Sequence, residues 1–126
     1  MGKMTAIGTR FEGWIRDQFR STGWQANRLP KRGVKGEPDV YAAYRGVLVQ
    51  IQAKERQRLN AAATLDDLVT ALETLGEDSL GFAAVVWKRM EKRGDTERRT
   101  QVGPVVAIIS FEDYMDLLDV YARQVV

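Results

Sequence analysis

The sequence predicts an α/β fold in which helices flank a central mixed β-sheet and the elements follow the order αβββαββα. Apolar residues recur with helical periodicity near the beginning, the middle and the end of the 126-residue chain. Between these segments lie short runs of β-branched and aromatic residues bounded by turn residues, which is typical of strands. Residues 81–87 are apolar almost throughout, as expected of a buried central strand. The chain shows no internal repeat or linker, so we expect one domain over residues 1–126.

The first helix is predicted over residues 8–22, and a basic loop follows it. Its apolar side chains recur every four positions, at Ile7, Phe11, Ile15 and Phe19. Trp14 widens this apolar stripe. Gly23 ends the helix, and residues 24–29 form a short extended segment. Residues 30–38 combine two prolines, two glycines and three cations, and this composition predicts a loop.

A β-hairpin is predicted next, with strands over residues 39–44 and 47–54. The connection Arg45-Gly46 is short enough for a two-residue turn, although it is not the favoured Asn-Gly pair. With such a turn Tyr44 pairs with Val47, and the numbers of all paired residues add up to 91.

This register brings three polar side chains together at the open end of the hairpin. Asp39 lies opposite Gln52, and directly opposed side chains share a face with Cβ atoms about 5 Å apart. Lys54 projects from the same face because strand side chains alternate with a period of two. The opposite face carries Val49, Ile51 and Ala53.

The second half contains a helix, two strands and a final helix. Thr64-Leu65-Asp66-Asp67 resembles a capping box that opens a helix reaching about Leu75. Its apolar face is expected to consist of Leu65, Leu68, Val69 and Leu72. Residues 88–103 are polar and predict a loop, residues 105–109 predict a strand, and Ser110 caps a last helix that runs to about Ala122.

The composition excludes several kinds of chemistry. The chain has no cysteine and no histidine, so disulfides, thiolate zinc sites, thiol nucleophiles, histidine bases and His-ligated metals are absent. The chemistry of an enzyme of this sequence must rest on carboxylates, amides and lysine, either alone or together with a hard metal ion. No apolar segment approaches the length of a membrane span or of a secretory signal. We therefore expect a protein that acts in the cytoplasm, which is the host cytoplasm if a bacteriophage encodes it.

The charges are distributed unevenly along the chain. Residues 1–60 carry 12 Lys and Arg against 5 Asp and Glu, a net +7, whereas residues 61–126 carry 7 against 12, a net −5. This asymmetry favours a polyanion-binding face beside an acidic back, although solvated charges can also fall unevenly.

The alternation of Gln50, Gln52 and Lys54 in one strand is unusual, since unpaired buried polar groups are costly. An edge strand with one solvated face would explain it, but Gly36-Glu37-Pro38-Asp39 upstream favours a functional site.

The chain resembles the PD-(D/E)XK nuclease superfamily in three places. These are Glu12 in a first helix, Pro38-Asp39, and Gln52-Ala53-Lys54 after a hairpin. The likeness covers about residues 8–110 and implies a restriction-endonuclease-like αβββαβ core. Within the superfamily, the chain is most similar to Holliday junction resolvases of archaea and bacteriophages. This similarity rests on the basic loop, on Gly8-Thr9-Arg10-Phe11-Glu12 and on residues 81–89.

The resemblance implies a metal site with one departure from the usual pattern. Gln52 stands where the pattern normally has an acid, as in the similar Gln-X-Lys motif of Mrr-type restriction enzymes. By resemblance, Asp39 is the central ligand of Mg²⁺, with Mn²⁺ as a substitute, and the side chain of Gln52 and the backbone carbonyl of Ala53 complete the shell. Glu12 reaches the ion directly or through water, unless it is a plain surface glutamate. Lys54 orients or deprotonates the attacking water.

The cations near Asp39 are candidates for DNA binding, or else part of an ordinary solvated loop: Arg10, Arg28, Lys31, Arg32 and Lys35. The polar segment over residues 88–103 is expected to be either a second DNA-binding arm or a disordered loop. The three tryptophans, Trp14, Trp24 and Trp87, are expected in the core.

The leading functional hypothesis is a metal-dependent endonuclease that nicks four-way DNA junctions as a homodimer, since a junction has two symmetry-related strands. Two alternatives stay open. One is another nuclease of the superfamily, such as a nickase, a flap nuclease or a restriction-like enzyme. The other is a nucleic-acid-binding module of the same fold that does not cleave.

Overall fold

The computed structural model describes residues 3–30, 37–76, 80–92, 94 and 98–124. Its elements in chain order are α1 (Lys3–Ser21), β1 (Gln25–Arg28), β2 (Val40–Tyr44), β3 (Val47–Arg56), α2 (Ala61–Leu75), β4 (Gly81–Lys92), β5 (Arg99–Gln101), β6 (Val106–Ile108) and α3 (Phe111–Gln124). The strands form one mixed sheet in the order β1-β2-β3-β4, with β5 and β6 both antiparallel to β4. The pairing of β3 with β4 is parallel, and it needs the α2 crossover. The predicted α/β fold with a mixed central sheet and flanking helices is confirmed.

The β2–β3 hairpin has the predicted register. Arg45 and Gly46 both adopt positive φ angles, of 50° and 81°, as a type I′ turn requires. Tyr44 therefore pairs with Val47, and the ladder continues to the pair of Val40 and Ile51. Arg45 tolerates the left-handed conformation although it is not the usual residue there, and its guanidinium lies over the Tyr44 ring at 5.3 Å.

The two faces of the sheet support two separate hydrophobic cores. On one face α1 packs over β1, β2 and β3, and the buried residues are Phe11, Ile15, Ala26, Val40, Ala42, Val49 and Ile51. On the other face α2 packs against β3 and β4, and the buried residues are Leu68, Ala71, Leu75, Ala83 and Val85. Because side chains alternate along β3, the odd-numbered residues face α1 and the even-numbered residues face α2.

Helix α2 begins four residues earlier than predicted, at Ala61. Its N-cap is Asn60, whose side-chain oxygen accepts a hydrogen bond from the amide of Ala63 at 3.0 Å. Thr64 instead lies in the first turn, where its hydroxyl donates to the Asn60 carbonyl at 2.7 Å. The predicted apolar face of α2 is only partly correct, because Leu65 and Val69 are exposed. The expectation that Trp14 is a core residue is also wrong, since its side chain lies on the exposed side of α1. The Ile7 side chain is outside the described part of the chain.

The prediction of a loop over residues 88–103 is wrong for much of that segment. Strand β4 continues to Lys92, and its last residues pair with β5 as an antiparallel ribbon. Solvent reaches both faces of this ribbon, so its sequence lacks the apolar alternation by which strands are recognised. Backbone hydrogen bonds hold the ribbon together. Residues 93 and 95–97 lie outside the described residues.

Helix α3 begins as predicted after Ser110. The Ser110 hydroxyl accepts from the amide of Asp113 at 3.1 Å, and its carbonyl accepts from the amide of Tyr114 at 3.0 Å. Partial burial of its carboxyl group raises the pKa of Asp113 above its ordinary value, the hydrogen bond with Ser110 opposes the rise, and Asp116 adds to it. No residue of α3 is buried. Within the described residues, no helix is both long and apolar enough to cross a lipid bilayer.

The close approach of β3 and β4 at Gly81 gives a test of the sheet. Gly81 pairs with Leu48, and a Cβ atom at Gly81 would lie 2.5 Å from the Leu48 carbonyl oxygen. We expect Gly81→Ala to lower the free energy of unfolding by about 1–3 kcal/mol, because backbone in a ladder cannot move aside. The matched control is Gly13→Ala in α1, where the nearest atom is 3.6 Å away and alanine is expected to stabilise the helix by about 0.5–1 kcal/mol. Chemical denaturation measures both, and equal effects would contradict the register of β3 and β4.

Candidate active site

Asp39 is a buried carboxylate held at the open end of the β2–β3 hairpin. Its backbone amide donates to the carbonyl of Ile51 at 2.8 Å, and its carbonyl accepts from the amide of Leu29 at 2.9 Å. The backbone of Asp39 thus extends the sheet on both sides. Its Oδ2 atom accepts a hydrogen bond from the amide of Ala53 at 2.7 Å. The carboxylate is therefore oriented over the end of β3 by the backbone itself.

Gln52 is the polar residue opposite Asp39, and it is also buried. Its side-chain Nε2 donates a hydrogen bond to the backbone carbonyl of Glu37. This bond ties the segment that precedes Asp39 to strand β3. Gln52 therefore has a structural role that a carboxylate at the same position could not fill, since a carboxylate has no proton to donate.

Lys54 lies on the α2 side of the sheet and is held there by an acid that sequence reasoning did not assign to the site. Its Nζ atom lies 3.0 Å from Oδ2 of Asp67 on α2, and the two side chains are only 14% and 11% exposed. The sequence pattern predicted Asp67 only as part of a capping box. A signal was available, because Asp67 falls on the same helical stripe as Leu68, Ala71 and Leu75, which are buried. An acid on the buried stripe of a helix needs a partner.

Glu12 lies at the same end of the sheet but on the α1 face. It is buried, and its Oε2 lies 3.5 Å from Nη2 of Arg28. Arg28 pairs with Val40, the residue after Asp39, so Glu12 and Asp39 flank the same corner of the sheet from opposite faces. The structure therefore brings Asp39, Gln52, Ala53 and Lys54 together and leaves Glu12 beneath them.

A second ion pair occupies the α1 face beside Ala53. Nζ of Lys88 lies 3.8 Å from Oε1 of Glu55, and the same ammonium lies 5.7 Å from the centre of the Phe11 ring. These residues follow the β3–β4 ladder, in which Glu55 pairs with Lys88. Glu55 therefore faces away from Lys54.

Two of the five cations proposed for DNA binding can be placed. Arg10 and Arg28 are both exposed, although Arg28 also pairs with Glu12. The other three, Lys31, Arg32 and Lys35, lie outside the described residues.

The oxygen atoms at this corner suit a hard divalent cation better than any other kind of metal ion. They come from the carboxylate of Asp39, the side-chain amide of Gln52 and the backbone of Ala53, and Glu12 adds a buried carboxylate on the α1 face. Within the described residues, no group of three or more acidic side chains is arranged to hold a metal ion. Mg²⁺ is commonly bound by one or two carboxylates, with waters and substrate phosphates as its other ligands, so the set fits Mg²⁺.

The ion pair of Lys54 and Asp67 can be tested through stability. We expect Asp67→Asn to lower the free energy of unfolding by about 1.5–3 kcal/mol, because it leaves the Lys54 ammonium without its charged partner. Asp66→Asn is the matched control, since Asp66 is adjacent in sequence and exposed. Denaturant titration of both variants measures the difference. Indistinguishable stabilities would show that Lys54 and Asp67 do not pair in solution.

No family model matches the chain, and no curated protein matches it. Among solved structures, the chain is similar to Hjc of Archaeoglobus fulgidus, a Holliday junction resolvase from an archaeal hyperthermophile. The two are 23% identical, with a TM-score of 0.48, and the match covers 76% of this chain and 83% of Hjc.

Proposed function

We propose that this protein is a metal-dependent DNA endonuclease that hydrolyses phosphodiester bonds at branched DNA, with the four-way junction as its substrate. The observation that carries the proposal is the hydrogen bond from the Ala53 amide to Asp39 Oδ2. It fixes a buried carboxylate beside Gln52 and against the amide of the residue that precedes Lys54, at the corner where Arg28 also lies. The order of Pro38-Asp39 and Gln52-Ala53-Lys54 in the sequence supports the same reaction.

In this proposal Asp39 is the central metal ligand. Gln52 and the carbonyl of Ala53 complete the protein side of the shell, and Glu12 contributes from the α1 face, directly or through water. Bound Mg²⁺ would polarise the scissile phosphate and lower the pKa of a bound water, so that hydrolysis needs no histidine. The Ala53 amide keeps the Asp39 carboxylate in one orientation, which reduces the reorganisation that metal binding requires.

Lys54 acts on the phosphate and the attacking water. Its ammonium provides a positive charge where negative charge develops as the water attacks, and Asp67 orients it. Asp67 is a positioning residue in this scheme because it acts through Lys54. The cations Arg10, Arg28, Lys31, Arg32 and Lys35 bind phosphates on either side of the cleaved bond and hold the DNA in register.

A four-way junction contains two symmetry-related strands, so a resolvase needs two sites in one particle. We therefore propose a homodimer with C2 symmetry, in which each protomer cleaves one strand. Linear duplex, flaps and single strands offer no such pair of sites and are expected to be poorer substrates.

Two observations favour a second candidate, a nucleic-acid-binding module without cleavage. The Gln52 amide is used to hold Glu37, and the described residues contain no cluster of three acids. Such a protein would bind junctions by its basic corner and leave them intact.

The decisive experiment compares nicking of a four-way junction with that of linear duplex, flap and single-stranded DNA, in Mg²⁺ and in EDTA. We expect cleavage of the junction in Mg²⁺ or Mn²⁺ and none in EDTA. Asp39→Asn and Lys54→Ala should each reduce the cleavage rate by at least about a hundredfold, the scale of removing a transition-state contact, with junction affinity nearly unchanged. Asp66→Asn serves as the control. Binding without cutting by the wild type would establish the second candidate, and full activity in EDTA would exclude the metal mechanism.

Gln52 allows a test that does not depend on cleavage. Gln52→Glu loses the donor to Glu37 and adds a charge, so we expect a lower melting temperature in EDTA than that of the wild type. The added carboxylate strengthens metal binding, so Mg²⁺ should raise the melting temperature of Gln52→Glu more than that of the wild type. Gln52→Ala lacks both features and should respond to Mg²⁺ least. Equal Mg²⁺ responses in all three proteins would show that residue 52 is not a ligand.

A further inference from the structure

A cavity of about 410 Å³ lies on the α2 face of the sheet, next to the candidate active site. Its lining comes from the segment after β1, the segment before β2, the β2–β3 hairpin and helix α2, and it includes Pro30, Pro38, Tyr41, Gln50 and Thr70. We call it the Gln50 cavity. Ligand pockets in proteins usually measure about 300–1,000 Å³, so this cavity is large enough for a molecule of the size of a nucleoside.

The side chain of Gln50 carries an unsatisfied acceptor at this cavity. Gln50 is only 8% exposed, and within the described residues its Oε1 atom has no hydrogen-bond partner. A buried carbonyl oxygen without a donor is costly, and such an atom in a native protein needs an explanation. The terminal amide torsion of glutamine is soft, so a rotation can turn Oε1 toward a donor in the cavity.

Tyr41 supplies an aromatic surface beside Gln50. The two residues are direct partners in the β2–β3 ladder, so their Cβ atoms are about 5 Å apart and their side chains share the α2 face. Among the described residues no other aromatic ring packs on Tyr41. Its ring is therefore available to a flat ligand, and aromatic rings of this kind are the surfaces on which proteins stack unpaired bases.

The charge around the cavity favours a neutral occupant over a phosphate. In the described part of the chain no lysine or arginine lines the cavity, and its one charged residue there is the acid Glu37. A phosphate would find no positive charge among these residues and would meet an acidic side chain instead. The lining therefore suits a neutral, flat molecule that carries hydrogen-bonding groups, and a nucleobase has all of these properties.

The Gln50 cavity adjoins the corner that carries Asp39. Glu37 and Pro38 line it and immediately precede Asp39, and Gln50 lies two residues before Gln52 on the same face of β3. Two residues of a strand span about 7 Å, a distance comparable with the spacing of neighbouring nucleotides. A nucleotide next to a phosphate at Asp39 can therefore place its base in the cavity once that base has left the stack. An unpaired base, as at the branch point of a junction, leaves the stack at the least cost.

We propose that the Gln50 cavity is a base-binding subsite that takes one unpaired adenine of the DNA strand, beside the phosphate that is cleaved. Gln50 reads the base, because its Oε1 accepts from the exocyclic amino group while its Nε2 donates to the neighbouring ring nitrogen, the pairing that glutamine makes with adenine. Tyr41 stacks on the purine ring. The inference rests on the proposed function, since it needs DNA at the Asp39 corner, and it adds a preference for the base next to the cut.

The first test measures junction binding in EDTA, where no cleavage is expected. The probe is a four-way junction with one unpaired nucleotide at its branch point, which is adenine, purine (the same ring system without the amino group) or an abasic site. We expect the wild type to bind the adenine junction about tenfold more tightly than the purine junction, the scale of one hydrogen bond. Gln50→Leu should bind these two junctions equally.

Tyr41 is tested with the same three junctions. Tyr41→Leu should weaken binding of the adenine and purine junctions about tenfold, because both bases lose their stacking surface, and should leave the abasic junction unaffected. Tyr44→Leu is the matched control, since Tyr44 lies on the same strand but on the opposite face. A Tyr41→Leu protein that binds all three junctions as the wild type does would contradict stacking in the cavity.

Two measurements without DNA separate this inference from the proposed function. Gln50→Leu should melt no lower than the wild type, because it removes an acceptor that has no partner among the described residues. Titration with adenosine should shift the NMR signals of the Gln50 side-chain amide and the Tyr41 ring, and purine riboside should shift them less. A large loss of melting temperature in Gln50→Leu would show that the Gln50 amide is bonded within the protein, and would overturn the proposal.

The outcomes distinguish the two proposals. Equal affinity for the adenine, purine and abasic junctions, with no NMR shift on addition of adenosine, would overturn the base-binding subsite and leave the nuclease proposal standing. Failure to bind any junction, with adenosine shifts that are absent in Gln50→Leu, would instead contradict the proposed function and support adenine binding by the cavity.

Discussion

The two-residue turn at Arg45 and Gly46 sets the register of the β2–β3 hairpin, and the candidate site depends on that register. Side chains in a strand alternate, so a slip of one residue would carry Gln52 and Lys54 to the α1 face and Ile51 to the α2 face. The same register lets the Ala53 amide reach the Asp39 carboxylate. A local backbone conformation thus decides the positions of groups several residues away.

Strand β3 separates two environments with different tasks. Its α1 face packs Val49 and Ile51 into a continuous apolar core. Its α2 face carries Gln50, Gln52 and Lys54, which are expensive to bury without partners. Lys54 obtains its partner from Asp67, and Gln52 from the Glu37 carbonyl. The polar face is therefore stable only when it contacts α2 and the segment before β2. The candidate site thus depends on the whole fold.

The same helix, α2, serves two surfaces. Its inner side supplies Asp67 to Lys54 and Leu68 to the core, while Leu65 and Val69 remain on its outer side.

The sequence by itself determined the order of the elements, the hairpin register and the face shared by Asp39, Gln52 and Lys54, because local periodicity and turn length control all three. It did not reveal the β4–β5 ribbon, since a ribbon with solvent on both faces has no apolar alternation. The exposure of Trp14, Leu65 and the apolar side chains of α3 was equally hidden, because periodicity shows that a face is apolar but not what packs against it. Only the tertiary structure paired Asp67 with Lys54 and Glu12 with Arg28. Those contacts join residues far apart in the chain, and long-range proximity is a property of packing that no local pattern encodes.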